Sequence, residues 1–245
     1  MHEIICGDML DVLPSIDRRA QLVFADPPDN LQMPYKGFND SWPTRPEYLS
    51  WLSRRMWASF NAGPSVIVWS LWPRNFLEVW PVVSLLGRIP YEIRQFIWRY
   101  TFGQHFTHDC GQGYRTLLRF SKPDTLFHTD RIRVPSARQL KYNDKRANPK
   151  GRVPDDVWEF PRVCGTFKER RSWAVTQHPE ALLERLILMA TDPGDLVIDL
   201  FAHSGTTMRV CHRLGRDSIH IDISEYYCSR LQEELQALEG SLTTA

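Results

Sequence analysis

The chain has 245 residues, 42% of them hydrophobic and 24% charged, enough for one large domain with its own core and unlike a disulfide-stapled miniature or a disordered tail. Thirty Lys and Arg against 29 Asp and Glu give a net charge of +1, which selects no partner, and no stretch approaches eighteen consecutive apolar residues, which speaks against a membrane-spanning helix. Residues 1–10 lack the basic segment, apolar run and cleavage site of an export signal, and the five cysteines show no CxxC pairing, so the reading is a cytoplasmic protein without disulfide framework or membrane anchor.

In chain order, Ile4 and Ile5 form a short apolar run that stops at Cys6-Gly7-Asp8, and Met9, Leu10, Val12 and Leu13 begin a helical pattern. Leu22–Ala25 reads as a buried strand stopped by Asp26-Pro27-Pro28, because proline cannot continue a ladder. A polar, Gly- and Pro-containing loop over 31–46 leads to a predicted helix over Pro46–Phe60, with proline in its first turn and Gly63-Pro64 after its end. Val66–Trp69 is a third strand and Trp72–Leu86 a helix, followed by strands at Ile93–Arg99 and Thr116–Phe120 that can pair across a long loop. Residues 121–171 show little periodicity and are predicted as an irregular insertion outside the core. Regular elements return as a helix over Glu180–Ala190, a strand over Leu196–Leu200, a helix over Thr206–Leu214, a strand over Ser218–Ile223 and a helix over Ser224–Leu238, with Ser241–Ala245 expected to fray. The alternation predicts an α/β fold.

Charge placement says more than total charge. Between residues 94 and 171 there are 17 basic and 8 acidic side chains, against 13 basic and 21 acidic in the remainder. Phe96, Trp98, Tyr100, Phe102, Phe106, Tyr114, Tyr142, Trp158, Phe160 and Phe167 are interleaved with them, as on a surface that attracts phosphates and stacks on bases, or on a solvated face around an aromatic core. His105, His108 and Cys110 are the tightest metal-like group, without an obvious fourth ligand nearby, so no metal is predicted.

Two segments carry chemistry. Asp199-Leu200-Phe201-Ala202-His203-Ser204-Gly205-Thr206-Thr207 follows a strand and opens a helix, where open α/β sheets bind ligands against the backbone. Asp222 closes the next strand, in place to accept hydrogen bonds from ribose hydroxyls. Together they describe a nucleoside site, although GxGxxG is absent. Phe24-Ala25-Asp26-Pro27-Pro28-Asp29-Asn30 also ends a strand; its prolines remove two donors and leave carbonyls beside a carboxylate, a set of acceptors suited to an amine. An exocyclic amine of a base is a poor nucleophile, and acceptors that hold its protons turn its lone pair toward an electrophile.

Asp-Pro-Pro, then Gln177-His178-Pro179-Glu180, then the turn from Asp199 to Thr207 and Ile221-Asp222-Ile223-Ser224 resemble, in that order and over nearly the whole chain, the β group of S-adenosylmethionine-dependent DNA amino-methyltransferases, the N6-adenine and N4-cytosine enzymes. The resemblance implies a Rossmann-like methyltransferase fold in permuted motif order: a mostly parallel central sheet with helices on both faces, in one catalytic domain over 1–245. It implies S-adenosylmethionine as cofactor, DNA as partner, and a homodimer as a common assembly. It assigns Asp199, Phe201, Ser204, Gly205, Thr206 and Thr207 to the methionine part of the cofactor, Asp222 to its ribose, Asp8 to the neighbourhood of its adenine, and Gln177, His178 and Pro179 to a segment closing over it. Asp26, with the carbonyl of Pro27, would bind the target amine, in the Asp26-Pro27-Pro28-Asp29 loop. Asp8 as a helix cap, His178 as a satisfied polar residue and Phe201 as core are the plainer alternatives.

The chain departs from that family at two positions. Asp29 stands where the family carries an aromatic residue that stacks on the flipped base. Tyr35, Phe38 or Trp42 can supply a ring instead, Asp29 can repel Asp26 and raise a pKa, or the site is dead. His203 replaces the usual glycine, so its side chain either turns away from the cofactor or contacts it.

The reaction implied is site-specific methylation of an exocyclic amine on a flipped base, with adenine N6 favoured because an acidic first residue of the triplet resembles the adenine enzymes, and with restriction–modification as its setting. The basic segment 121–171 becomes the target-recognition insertion, with Arg138, Lys141, Lys145, Arg146, Lys150 and Arg152 as phosphate or base contacts and Lys168, Arg170 and Arg171 on the returning segment. N4-cytosine methylation, RNA methylation and a catalytically impaired DNA-binding protein are the alternatives.

Overall fold

The computed structural model describes residues 1–86, 90–104 and 106–242. In chain order the elements are β1 (His2–Cys6), α1 (Met9–Val12), β2 (Leu22–Ala25), α2 (Arg45–Asn61), β3 (Val66–Leu71), α3 (Pro73–Leu86), β4 (Glu92–Gln104), β5 (Gln112–Ser121), α4 (Ala137–Leu140), β6 (Val157–Glu159), α5 (Glu180–Ala190), β7 (Leu196–Asp199), α6 (Thr206–Leu214), β8 (Asp217–Asp222) and α7 (Glu225–Leu242).

Every side chain of β2, β3 and β7 is buried, the mark of strands covered on both faces. The sheet runs β1-β8-β7-β2-β3-β5-β4-β6, and of these only β5 opposes its neighbours. Alternation along β2 sends Val23 and Ala25 to one layer, with Tyr48, Leu52 and Met56 of α2 and Val79 and Val83 of α3. Leu22 and Phe24 go to the other, with Leu182, Leu183, Leu186 and Ile187 of α5. Helices therefore cover both faces, as expected of an α/β fold.

Strand order explains how distant motifs meet. β2 and β7 lie side by side in parallel, with Phe24 opposite Asp199, so the Asp-Pro-Pro loop and the Asp199–Thr207 turn leave the same edge of the sheet at adjacent strand ends. β8 pairs with both β7 and β1, which places Cys6 opposite Asp222 and brings the Gly7-Asp8 turn alongside. The predicted strands at 93–99 and 116–120 pair antiparallel and prove longer, with a register shift between Arg99 and Gln104.

Segment 121–171 is not wholly outside the core. Val157–Glu159 adds an edge strand parallel to β4 and plants Trp158, 1% exposed, against Phe96 and Leu186 in the second layer. A three-residue strand is too short for periodicity to reveal. Ser136 caps α4 with a reciprocal capping box, and Val134 bridges Arg152. Much of the interleaved aromatic set is core as well: Phe96, Trp98, Tyr100 and Trp158 are buried, whereas Phe106, Tyr114, Tyr142 and Phe167 are exposed. Residues 243–245 of the tail expected to fray lie outside the described residues, as does His105 of the metal-like trio. Among the described residues no helix is long and apolar enough to cross a membrane, and no cluster of His, Cys, Asp and Glu is placed to hold a metal.

Candidate active site

Two hollows open where the parallel strands end. The first, about 660 Å³ including its open mouth, is lined by Asp8, Trp51, Arg55, Phe201, His203 and Asp222, with Ile223, Tyr227 and Phe38 among its apolar walls. The second, about 1150 Å³ including its open mouth, is lined by Pro27, Asp29, Trp72, Trp98, Tyr100 and Arg115, with Gln177, His178 and Arg170. Asp26, Tyr35 and Thr176 belong to both walls, so Asp26 stands at the partition.

The first hollow suits a nucleoside. At the end of β8, the Asp222 carboxylate accepts from the His203 N–H at 2.8 Å and the Ser224 N–H at 2.9 Å. One bond at each oxygen fixes the group and leaves lone pairs for hydroxyls; burial raises its pKa. Asp8 caps α1 through the Leu10 N–H at 2.9 Å and also pairs with Arg55, so it is helix cap and cavity wall at once. The Arg55 guanidinium lies 4.2 Å from the centre of the Trp51 ring. Trp51 and Arg55 were missed in the sequence, where they read only as helix positions one turn apart.

The Asp199–Thr207 turn divides in two. Phe201 and His203 line the hollow, while Asp199, Ser204, Gly205, Thr206 and Thr207 do not; they brace the turn from behind. Thr207 Oγ1 donates to Asp199 at 2.5 Å, as does the Phe201 N–H at 3.1 Å, and burial raises the Asp199 pKa to about 6. Gly205 adopts φ +69°, and a Cβ there would lie 2.5 Å from Leu231 Cδ2, so only glycine fits. His203, at φ 35°, turns toward the hollow, edge-on to Tyr35 and Tyr227 with ring centres 5.3 and 4.5 Å away. It accepts from the Val175 N–H at 3.4 Å, and burial lowers its pKa to about 4, leaving it uncharged at neutral pH.

The second hollow is organised by Asp26. Arg115 donates from Nη2 to its Oδ1 at 2.8 Å, and His178 Nδ1 lies 3.2 Å from its Oδ2. Burial alone would raise the carboxyl, but His178 and Arg115 hold it well below the usual carboxylate range. Ser70 closes the ring, with Oγ 3.0 Å from His178 Nε2 and accepting from Arg115 Nε at 3.0 Å. His178 thus supports the carboxylate, and together with Gln177 lines the second hollow instead of closing over the first. Pro179 lines neither and is the N-cap of α5. The Pro28 carbonyl accepts from Tyr48 at 2.9 Å, whereas Pro27 lines the second hollow, within reach of a ligand held there.

Asp29 is the clearest departure in the site. It accepts from Arg115 Nη1 at 2.6 Å, from Asn75 Nδ2 at 3.0 Å and from the Trp72 N–H at 3.4 Å. Burial raises its carboxyl while Arg115 opposes the rise; since every partner is an N–H donor, the ionised form satisfies them. Asp40, 1% exposed, holds the following loop by accepting from the N–H groups of Asn30, Leu31 and Met33, and Asn30 and Gln32 take positive φ there. Of the three substitute rings, Tyr35 stands at the partition and Phe38 lines the first hollow, whereas Trp42 packs between Tyr48 and Trp51. Arg115, Ser70, Asn75 and Asp40 were not singled out in the sequence. They sit in strands, helices and loops whose patterns signal packing.

The basic candidates lie apart from this centre. Lys141, Lys145, Lys150 and Lys168 are exposed; Arg138 and Arg146 share Asp144, and Arg152 pairs with Asp155 at 3.1 Å, exposed contacts that hold little energy. Arg170 sits on the wall of the second hollow. Arg171 is less exposed and pairs with Glu234 of α7 at 2.5 Å.

A doubly wound sheet with two adjoining hollows at its strand ends, and a carboxylate at their partition, is the arrangement expected of methyltransferases that act on exocyclic amines. The chain belongs to the N6_N4_Mtase family of DNA methylases, whose profile matches residues 20–233. It is 30% identical over 248 residues to the type II methyltransferase M.HpaI of Haemophilus parainfluenzae, covering 96% of this chain and 74% of that one. To the DNA adenine methyltransferase YhdJ of Escherichia coli (strain K12) it is 33% identical over 236 residues, covering 91% and 79%. Its fold is similar to that of the PvuII DNA methyltransferase, described as cytosine-N4-specific, with a TM-score of 0.68 at 17% identity over 93% of this chain and 83% of the other.

Proposed function

We propose that the protein transfers the methyl group of S-adenosylmethionine to adenine N6 of a base flipped out of a specific DNA sequence, as the cytoplasmic modification enzyme of a restriction–modification pair. The observation that carries the reading is Asp26, ionised at the partition between the two hollows and followed by Pro27 on the wall of the second. An adenine enzyme is favoured by the acidic first residue of Asp26-Pro27-Pro28 and by the likeness to a relative named for adenine methylation.

When bound, the cofactor supplies an electrophilic methyl on a positively charged sulfur. Asp222 would suit the ribose hydroxyls, Asp8 and the apolar walls the adenine end, and the His203 imidazole, uncharged at neutral pH, adds no positive charge to the hollow that would hold the cofactor. On the other side, Asp26 and the Pro27 carbonyl would accept hydrogen bonds from the two amine N–H groups and turn the nitrogen lone pair toward the methyl that the cofactor would supply, the bond gained by nitrogen replacing the one lost by sulfur. Positive charge develops on nitrogen, and the Asp26 carboxylate stabilises it. The surplus proton passes to water, since a carboxyl held well below its usual range does not retain it. The exposed bases Arg138, Lys141, Lys145, Arg146, Lys150, Arg152 and Lys168, with Arg170 at the rim, are assigned to phosphate and base contacts in a recognition segment over 121–171.

The test is incubation with methyl-labelled S-adenosylmethionine and unmodified DNA, digestion to nucleosides and identification of the labelled one, with Asp26→Ala as control. Label in N6-methyldeoxyadenosine, lost in the control, is expected. Label in N4-methyldeoxycytidine would move the target base, and no label in DNA together with label in a parallel incubation with RNA would end the DNA reading. Sedimentation of the same preparation reports whether it works as the homodimer implied by the resemblance.

A further inference from the structure

Asp29 occupies the position of a stacking ring, yet its surroundings are those of an anchor. Its carboxylate, 12% exposed, is surrounded by donors from three elements: Arg115 of β5, Asn75 of α3 and the backbone of Trp72 ahead of α3. Arg115 in turn commits its whole guanidinium to this corner: Nε to Ser70 Oγ at 3.0 Å, Nη1 to Asp29 at 2.6 Å, and Nη2 to Asp26 at 2.8 Å and the Ser70 carbonyl at 3.2 Å. A planar fork held on four acceptors has one orientation. Asp26 inherits it, because Arg115 and His178 grip its two oxygens separately.

We propose that Arg115 and Asp29 form a positioning pair for the methyl-transfer reaction: Arg115 aims the Asp26 carboxylate at the target amine, and Asp29 is the counterion that leaves the site negative. This rests on the function proposed above. Arg115 beside Asp26 alone would make a neutral pair with little to offer the positive charge growing on the attacked nitrogen. The second carboxylate adds one negative charge to that pair while its own lone pairs stay occupied by N–H donors, so it neither competes for the amine nor stacks on the base. The groups facing Asp26 are Arg115 from β5, His178 ahead of α5, Asp29 and Tyr35 from its own loop, and Asp199 and His203 from the β7 end. Among these, Arg115 supplies a fixed positive charge. Its removal raises the Asp26 pKa, as expected for a carboxylate losing an adjacent guanidinium.

The experiment measures single-turnover methyl transfer to DNA against pH, cofactor affinity by calorimetry, and the Asp26 carboxyl titration by carbon-13 NMR, assigned with Asp26→Asn. The proteins are wild type, Arg115→Lys, Arg115→Met, Asp29→Asn and the double variant Asp29→Asn with Arg115→Met. Arg115→Met is expected to slow transfer roughly 10²-fold or more and to move the acid limb and the Asp26 titration up by about one pH unit or more, with cofactor affinity held within about threefold. Arg115→Lys should recover part of the rate and most of the pH shift. Asp29→Asn should slow transfer with no upward shift, and the double variant should lose less than the product of the single effects. Asp29→Asn and Arg115→Lys change little volume and keep the test open should Arg115→Met fail to fold. A rate loss in the Arg115 variants with an unmoved acid limb and an unmoved Asp26 titration would overturn the pair, as would Asp29→Asn with wild-type rates. Wild-type protein that methylates no DNA would end the functional reading instead, and the titration of Asp26 would still decide the role of Arg115.

Discussion

Asp222 and His203 set different quantities, and single substitutions separate them. In the proposed function Asp222 accepts charge-assisted hydrogen bonds from a ribose, each worth about 1.5–3 kcal/mol. Asp222→Ala should therefore weaken cofactor binding by roughly 10- to 10²-fold by calorimetry, with the rate at saturating cofactor much less affected. His203 makes a prediction about pH. Its folded pKa of about 4 lies below its ordinary value of 6.5, so the unfolded chain binds the proton first as pH falls. Its contribution to stability is complete above pH 6.5 and lost as pH drops toward 4. His203→Gly, which suits φ 35°, should flatten that part of the stability curve in urea titrations. Asp199, raised to about 6, slopes the opposite way between pH 4 and 6 in both proteins and drops out of the difference.

The elements that carried strong patterns were legible in the sequence: the apolar run Leu22–Ala25 and the helical face of Leu182, Leu183, Leu186 and Ile187 stand where the pattern put them, and the run predicted over Leu196–Leu200 forms a strand over Leu196–Asp199. Val157–Glu159 was invisible, because three residues with one buried side chain carry no period, and the surrounding charge read as loop. Its weight in the fold is nonetheless large. Trp158 touches the ring of Phe96 at 5.0 Å between centres and lies beneath the Arg185 guanidinium at 5.3 Å. Trp158→Ala should cost about 3–5 kcal/mol in chemical denaturation, and a loss below about 1 kcal/mol would mean that β6 is only draped on the sheet. For the site, the motif residues could be named from the sequence, but their division between two hollows could not. His178 follows the same segment as Gln177 yet reaches under Asp26 because β5 and β3 bring Arg115 and Ser70 there, a long-range pairing that no local spacing encodes.

At the scale of the whole molecule, the net charge of +1 hides a separation between a basic middle segment and an acidic remainder, and a polyanion responds to the local field, not to the sum. DNA affinity should fall steeply with salt. Replacing Lys141, Lys145 and Lys150 together by Gln should lessen the slope of log K against log salt by up to about 3, roughly one for each phosphate no longer neutralised, and equally for all sequences. An unchanged slope would remove these lysines from the interface. The same change should leave cofactor affinity alone, since none of the three lines either hollow.

The partition between the hollows also gives the molecule a built-in optical readout. Of its nine tryptophans, Trp51 borders the first hollow under a guanidinium, while Trp72 and Trp98 border the second. Indole emission responds to a ring or charge arriving alongside it, so a nucleoside settling against Trp51 and a base entering beside Trp72 and Trp98 would quench different emitters. Replacing Trp51 by Phe in one sample, and Trp72 by Phe in another, would assign the two signals, and stopped-flow traces could then time the arrival of each ligand without a label on either.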